Sequence, residues 1–307
     1  MLGSSVQRQL MISSSIYTPP FRFEWNSPSA VTGQLDVAVS EFHTRSEGSK
    51  WAIYWCAGKG TMSSSSIELS QEIATINSFL GCLKDRFGKQ IEDGNLFFSS
   101  SVGGVYAGST DQVINAITEP VSLNAYGDQK LLAESMFIDF AVTNKCRAVI
   151  GRLSNLYGTA QNQFKRQGLL TEICRSAILR NELNLFVGLD TVRNFLYVDD
   201  AARVIVDLIK KVALITGGHV QEEIIASPRN YSISSVLKEF ESVWGDRVVF
   251  SSSKHVDQTR FPTNLAVRPR QYDSFNRFEF TPLGVGFGII LRDMLSRHQA
   301  GNLKINV

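Results

Sequence analysis

Short apolar runs along the chain alternate with longer stretches whose apolar positions recur every three or four residues. Trp51-Ala52-Ile53-Tyr54-Trp55-Cys56 is a continuous apolar run closed by Ala57-Gly58, the pattern of a buried strand and its turn. From Glu68 to Leu83 the apolar residues fall at Ile73, Ile76, Phe79, Leu80 and Leu83, which is helical spacing. Asn95 to Phe98 reads as the next strand, Tyr126 to Val142 as a helix and Arg147 to Ile150 as a strand. Leu169 to Leu179 is helical, and a short strand leads into another helix at Asp199 to Val212. This alternation predicts an α/β fold: a doubly wound parallel sheet with helices on both faces. The strand ends carrying Ala57-Gly58, Ser101 and Asn155 then share one edge, the carboxyl edge where open α/β sheets bind ligands. After residue 215 the pattern changes. Ile224-Ile225-Ala226 reads as a strand, Ser232 opens a helix running to Val243, and residues 251–280 read as loops over the pocket. The serine clusters at 63–66 and 251–253 read as loops or caps.

Composition narrows the class. A chain of 307 residues accommodates one large α/β unit, or a large domain with a smaller partner. A net charge of +2 with 20% charged residues gives a nearly balanced surface, which argues against nucleic acid and membrane as partners. A loose cluster at Arg260, Arg268 and Arg270 fits a solvated face or a phosphate contact. Cys56, Cys82, Cys146 and Cys174 lie far apart with no CxxC, as expected of reduced, buried thiols. Met1 to Leu10 lacks the basic start and apolar block of a signal peptide, and apolar runs fall short of the roughly 20 residues that span a bilayer. A cytoplasmic protein is expected. His43, His219, His255 and His298 are dispersed, so no metal site is expected.

The candidate chemistry lies in Asn124-Ala125-Tyr126-Gly127-Asp128-Gln129-Lys130. Tyr126 and Lys130, four apart, share one helix face. An ammonium near a phenol favours the phenolate and lowers the tyrosine pKa from about 10. The run Ser99-Ser100-Ser101 ends 25 residues before the tyrosine and supplies a hydroxyl to orient a substrate oxygen. Together these groups make an acid/base suited to alcohols and ketones near neutral pH.

Four segments carry a family resemblance. Leu96-Phe97-Phe98-Ser99-Ser100-Ser101 with Val105-Tyr106 resembles a strand ending in serines before a VYG turn. Tyr126 to Lys130 resembles a catalytic YxxxK, Arg152 to Gly158 resembles RxxNxYG, and Arg193 to Asp200 resembles RDFxxVxD. In this order they resemble the extended short-chain dehydrogenase/reductase family, in its branch of NAD-dependent sugar-nucleotide epimerases and dehydratases. The resemblance covers residues 50–240 well. It implies a Rossmann-like NAD(P)-binding domain over residues 1–157, to which 190–215 returns, and a smaller substrate domain over most of 158–307. It implies NAD, or NADP, as cofactor, a nucleotide-diphosphate sugar as substrate, and a homodimer. Tyr126 would exchange the proton of a sugar hydroxyl, and Lys130 would lower its pKa and hold the nicotinamide ribose. Gly3, Ala57, Gly58, Ser99 and Leu153 would complete the cofactor site. Asn155 and Arg193 would bind the diphosphate, with Ser101 at the sugar. The spacing through Val102-Gly103-Gly104 is one residue longer than the commonest pattern, which leaves Ser100 as the alternative to Ser101.

The beginning departs from the family. Only Met1-Leu2 precedes Gly3, and the next two glycine positions of GxxGxxG hold Val6 and Gln9. No acidic residue in Ile12 to Pro20 stands ready for the adenosine ribose. A first strand that is shortened or missing, and a weakened cofactor site, are expected. Asn194 replaces the Asp of RDF, keeping hydrogen-bonding capacity without the charge. Val102-Gly103 stands where dehydratases of the family carry Asp-Glu, which disfavours dehydration. The leading reading is epimerisation by hydride transfer at a sugar ring carbon, usually C4 in this family. The alternatives are a keto-sugar-nucleotide reductase and a non-catalytic binding protein.

Overall fold

The computed structural model describes all residues except 13, 59, 62–63, 160–167, 253–263, 271–278 and 302–307. In chain order the elements begin with α1 (Leu2–Leu10), α2 (Pro28–Ser46), β1 (Trp51–Trp55) and α3 (Ser66–Phe87). A 3-10 turn (Gly88–Asp93) leads to β2 (Gly94–Ser101), α4 (Val102–Val105), β3 (Val113–Ile114), α5 (Ala125–Thr143) and β4 (Arg147–Leu153). Then come β5 (Asn155–Tyr157), α6 (Leu169–Leu179), β6 (Leu183–Leu185), β7 (Val192–Tyr197) and α7 (Val198–Val212). The last elements are β8 (His219–Ile225), β9 (Asn230–Ser232), α8 (Ile233–Trp244), β10 (Phe250–Ser252), β11 (Ala266–Val267) and α9 (Leu283–Gln299).

The central sheet has four parallel strands in the order β1-β2-β4-β8. Side chains alternate across it. Leu96 and Phe98 of β2 join a core with α2, α3 and α5, whereas Phe97 joins one with α1 and α7. Helices therefore cover both faces, as the alternation predicts. The strand order runs one way from β1, whose outer side has no strand partner among the described residues. Residues 219–225 form β8 of this sheet, so the sheet extends past the return expected at 190–215. The strand is longer than the apolar run Ile224-Ile225-Ala226 suggests. It lies at the edge, where polar residues such as Gln221 and Glu222 are tolerated.

A second, smaller core gathers Tyr157, α6, Leu183, Leu185, α8 and α9 beneath β7. Strands β5, β7 and β9 form its sheet. Two serines from the expected clusters and turns start helices. Ser65 caps α3 in a reciprocal box with Glu68, and Ser232 caps α8. Of the cluster at 251–253, Ser251 and Ser252 lie in β10 and Ser253 lies outside the described residues. Much of the loop region expected at 251–280, including Arg260, also lies outside them.

Candidate active site

Tyr126 sits in the first turn of α5, where the Asn124 side chain accepts from Gly127 N–H at 3.0 Å. Gly127 lets α5 approach α4. A Cβ there would stand 2.4 Å from Gly104 O, too close to exist. A Cβ at Gly104 would in turn lie 3.0 Å from Tyr126 Cε1 and 3.5 Å from Ser101 Cβ, so the tyrosine and the serine flank the same spot. The Ser101 hydroxyl caps α4 by accepting from Gly104 N–H at 3.2 Å. Its own hydrogen remains available to donate to a bound oxygen.

Lys130, one turn after Tyr126, is buried. Its ammonium lies 5.8 Å from the Tyr126 ring centre, 5.4 Å from that of Phe98, and 3.2 Å from Glu72 Oε1 on α3. The other Glu72 oxygen accepts from Gly60 N–H at 3.0 Å. A cavity of about 150 Å³ opens here, lined by Cys56, Ala57, Gly58, Gly60, Ser99, Ser100, Tyr126 and Lys130. Burial pushes the Cys56 thiol up to about 12, so it stays neutral.

Ser100 points to the other side of its strand from Ser101 and is 4% exposed. Its hydroxyl donates to Glu134, which is clamped by Arg152 at 2.7 Å. Arg152 also donates to the Tyr106 hydroxyl at 2.8 Å and reaches Glu222 at 3.0 Å. Burial opposes the charge on Arg152, but Glu134 outweighs it and drives the guanidinium pKa further up. This network fixes the ends of β2 and β4 against α5.

A larger cavity of about 840 Å³ lies on the side of the smaller core, and Tyr126 and Ser100 border both cavities. Ser101, Leu153, Asn155 and Arg193 line the larger one. Arg193 is half-buried, its pKa is lowered by desolvation, and it donates to the Val192 carbonyl at 2.8 Å. Asn155 donates to the Asn194 carbonyl at 2.9 Å. The Asn194 amide donates to Ser227 O and Arg229 O at 2.8 and 3.0 Å and accepts from Ser227 N–H at 3.0 Å, binding the loop before β9.

The sequence-predicted residues thus divide between adjoining cavities. Ala57, Gly58, Ser99 and Lys130 line the small one, Ser101, Leu153, Asn155 and Arg193 the large one, and Tyr126 both. Gly3 lines neither. It lies in the first turn of α1, not in a loop, with its would-be Cβ 3.6 Å from Cys56 Cβ. Val6 is 2% exposed and packs with Leu2 in the core shared with α7, so position 6 is a core position of a helix. In the small cavity, the close-packed glycines, the Ser99 hydroxyl and the lysine have the chemistry to fit part of a dinucleotide. Residues 2–10, where the resemblance implies a glycine-rich loop, form the helix α1.

Sequence reasoning misses Glu72, Glu134 and the role of Arg152. The available signal is a carboxylate set in an otherwise apolar stripe. Glu72 falls between Leu69 and Ile76, and Glu134 follows Ala133 and precedes Phe137. Among the described residues no three His, Cys, Asp or Glu are grouped as a metal site, and no helix is long and apolar enough to cross a membrane.

Residues 56–221 match the NAD dependent epimerase/dehydratase family, and the chain belongs to that family. UDP-glucose 4-epimerase from Bifidobacterium longum, solved with NAD+ and UDP, superposes with a TM-score of 0.72 at 16% identity, covering 98% of this chain and 89% of that one. UDP-glucose 4-epimerase from Thermotoga maritima, solved with UDP-glucose, gives 0.71 at 17% identity, with 97% and 96% covered. RMD from Pseudomonas aeruginosa, complexed with NADPH, gives 0.72 at 18% identity, with 97% and 95% covered. These likenesses show the fold. No curated protein matches the sequence.

Proposed function

We propose that the chain is a sugar-nucleotide epimerase acting at a ring carbon, C4 by the family's habit, with Tyr126 as acid/base. The observation that carries this reading is the convergence of Tyr126, Lys130 and Ser101 where the small cavity meets a large one lined by Asn155 and Arg193. NAD, when bound, supplies the hydride acceptor and donor. Ala57, Gly58, Ser99 and Lys130 would hold its nicotinamide end. Tyr126 takes the proton of a sugar hydroxyl as the ring carbon is oxidised and returns it when the ketone is reduced. Ser101 donates to the same oxygen, and its capping bond to α4 fixes its position. Arg193 presents a planar fork suited to a diphosphate, beside the Asn155 amide. The Glu134 clamp on Ser100 supports Ser101 as the serine that meets substrate. A homodimer and a role in polysaccharide biosynthesis belong to the same proposal.

A second reading, a non-catalytic binder on this fold, draws on α1, where Val6 occupies the core and no glycine loop approaches a pyrophosphate. Tyr126→Phe separates the two. On UDP-sugars with NAD, turnover should fall about 10²-fold or more, the scale of general acid–base catalysis, with thermal stability retained. Unchanged turnover would remove Tyr126 from the chemistry. Absence of turnover and of bound dinucleotide in the wild type, by mass spectrometry, would favour the binder.

A further inference from the structure

Glu72 reaches the site from behind. One carboxylate oxygen accepts from Lys130 at 3.2 Å and the other from Gly60 N–H at 3.0 Å. The lysine and glutamate side chains are only 7% and 11% exposed. Lys130 lines the small cavity and Glu72 does not. Gly58 leaves room for the contact: a Cβ there would stand 3.0 Å from Glu72 Oε1 and 3.5 Å from Lys130 Nζ. The carboxylate is therefore a support joining the lysine to the loop that follows β1.

A buried ammonium sheds its proton readily, because desolvation penalises the charged form. Among the described residues, the titratable and charged groups around Lys130 are Tyr126 and Glu134 on α5, Cys56 at the end of β1, and Glu72 on α3. Glu134 already faces Arg152, and the Cys56 thiol is neutral. Glu72 is thus the carboxylate that holds the charge in place. Burial pushes its own carboxyl up, but Lys130 and the Gly60 amide outweigh this and hold it below the usual range.

We infer that Glu72 is a positioning residue of the Tyr126–Lys130 pair: it keeps Lys130 charged and ties it to the loop after β1. The inference rests on the reading of Tyr126 and Lys130 as the reactive pair. Without the carboxylate the buried ammonium has no counter-charge on α3, which favours its neutral form and weakens the charge that favours the phenolate.

Glu72→Gln keeps the shape and an acceptor for Gly60 while removing the charge. The full chain is treated with acetic anhydride near pH 8 and Lys130 is followed by peptide mass spectrometry, with exposed Lys84 of α3 as internal standard. Only a neutral amine reacts, so the Lys130 to Lys84 ratio should rise about tenfold or more in the variant. Glu72→Asp, charged on a shorter arm, should give a smaller rise, and it tests the same inference should the Gln variant not fold. An unchanged ratio in both variants overturns the inference, as does a rise matched at Lys84. The second readout is NADH binding by fluorescence. Relative to the wild type, it should weaken in Glu72→Gln by a factor that grows as pH rises, because only the variant lacks the carboxylate beside the ammonium. Matching profiles overturn the positioning role. Labelling needs no dinucleotide. A chain that never binds NADH yet shows the labelling response supports the inference on Glu72, while the reading of the site as dinucleotide-dependent fails.

Discussion

The carboxyl ends of β1 and β2 lie side by side in one sheet but are held by different means. At β2, a buried ionic network runs from Ser100 through Glu134 and Arg152 to Tyr106, and Ser101 caps the next helix. At β1, the apolar face of the amphipathic helix α1 packs alongside, and Glu72, paired with Lys130, holds the following loop through Gly60. The end of β2 is therefore fixed by a charge network, and the end of β1 by one buried ion pair together with hydrophobic contact. The difference shows why the same chain can carry a complete Tyr–Lys–Ser constellation and an unfamiliar beginning.

The sharpest way to break that contrast is Arg152→Leu. It leaves Glu134, 3% exposed, without its cation, and an uncompensated buried charge costs about 3–5 kcal/mol. Urea unfolding should show the midpoint fall at constant slope. Next is Val6→Gly at the apolar end. A lost core side chain plus glycine in a helix interior should cost about 2–4 kcal/mol in thermal unfolding. A neutral result would mean that α1 does not pack as described. Arg193→Ala sharpens the comparison on the substrate side. UDP binding by calorimetry should weaken by about 1.5–3 kcal/mol while NAD binding holds, and equal losses would make the residue structural. The smallest effect belongs to Arg8→Ala. Its bridge to Asp199 is 57% and 43% exposed, so about 0.2–1 kcal/mol is expected, shrinking further with salt.

The sequence makes local features legible. Tyr126, Lys130 and the serine run are set by spacing within one or two elements, and the helices by periodicity. Glu72 and Lys130 are 58 residues apart, and Glu134 and Arg152 18 apart, on different elements, so nothing in one sequence pairs them. Gly3 suggests a phosphate loop because glycine permits one. Yet Leu2 and Val6, four apart, make an apolar helix face, and burial against α7 decides the outcome. The first half of β8 is polar and shows no strand pattern, because an edge position does not demand one.

Asn194 has a consequence for behaviour in acid. Its amide both gives and receives in holding the loop before β9, and an amide carries no titrating proton. That clasp is indifferent to acid. Glu72 differs, because its folded pKa is depressed. Its contribution to stability is complete above the unfolded carboxyl value and is lost as pH falls through the folded one. On acidification the contact between Glu72 and Lys130 should therefore loosen while the Asn194 joint stays closed, which makes the two sides of one cleft separable by a simple change of buffer.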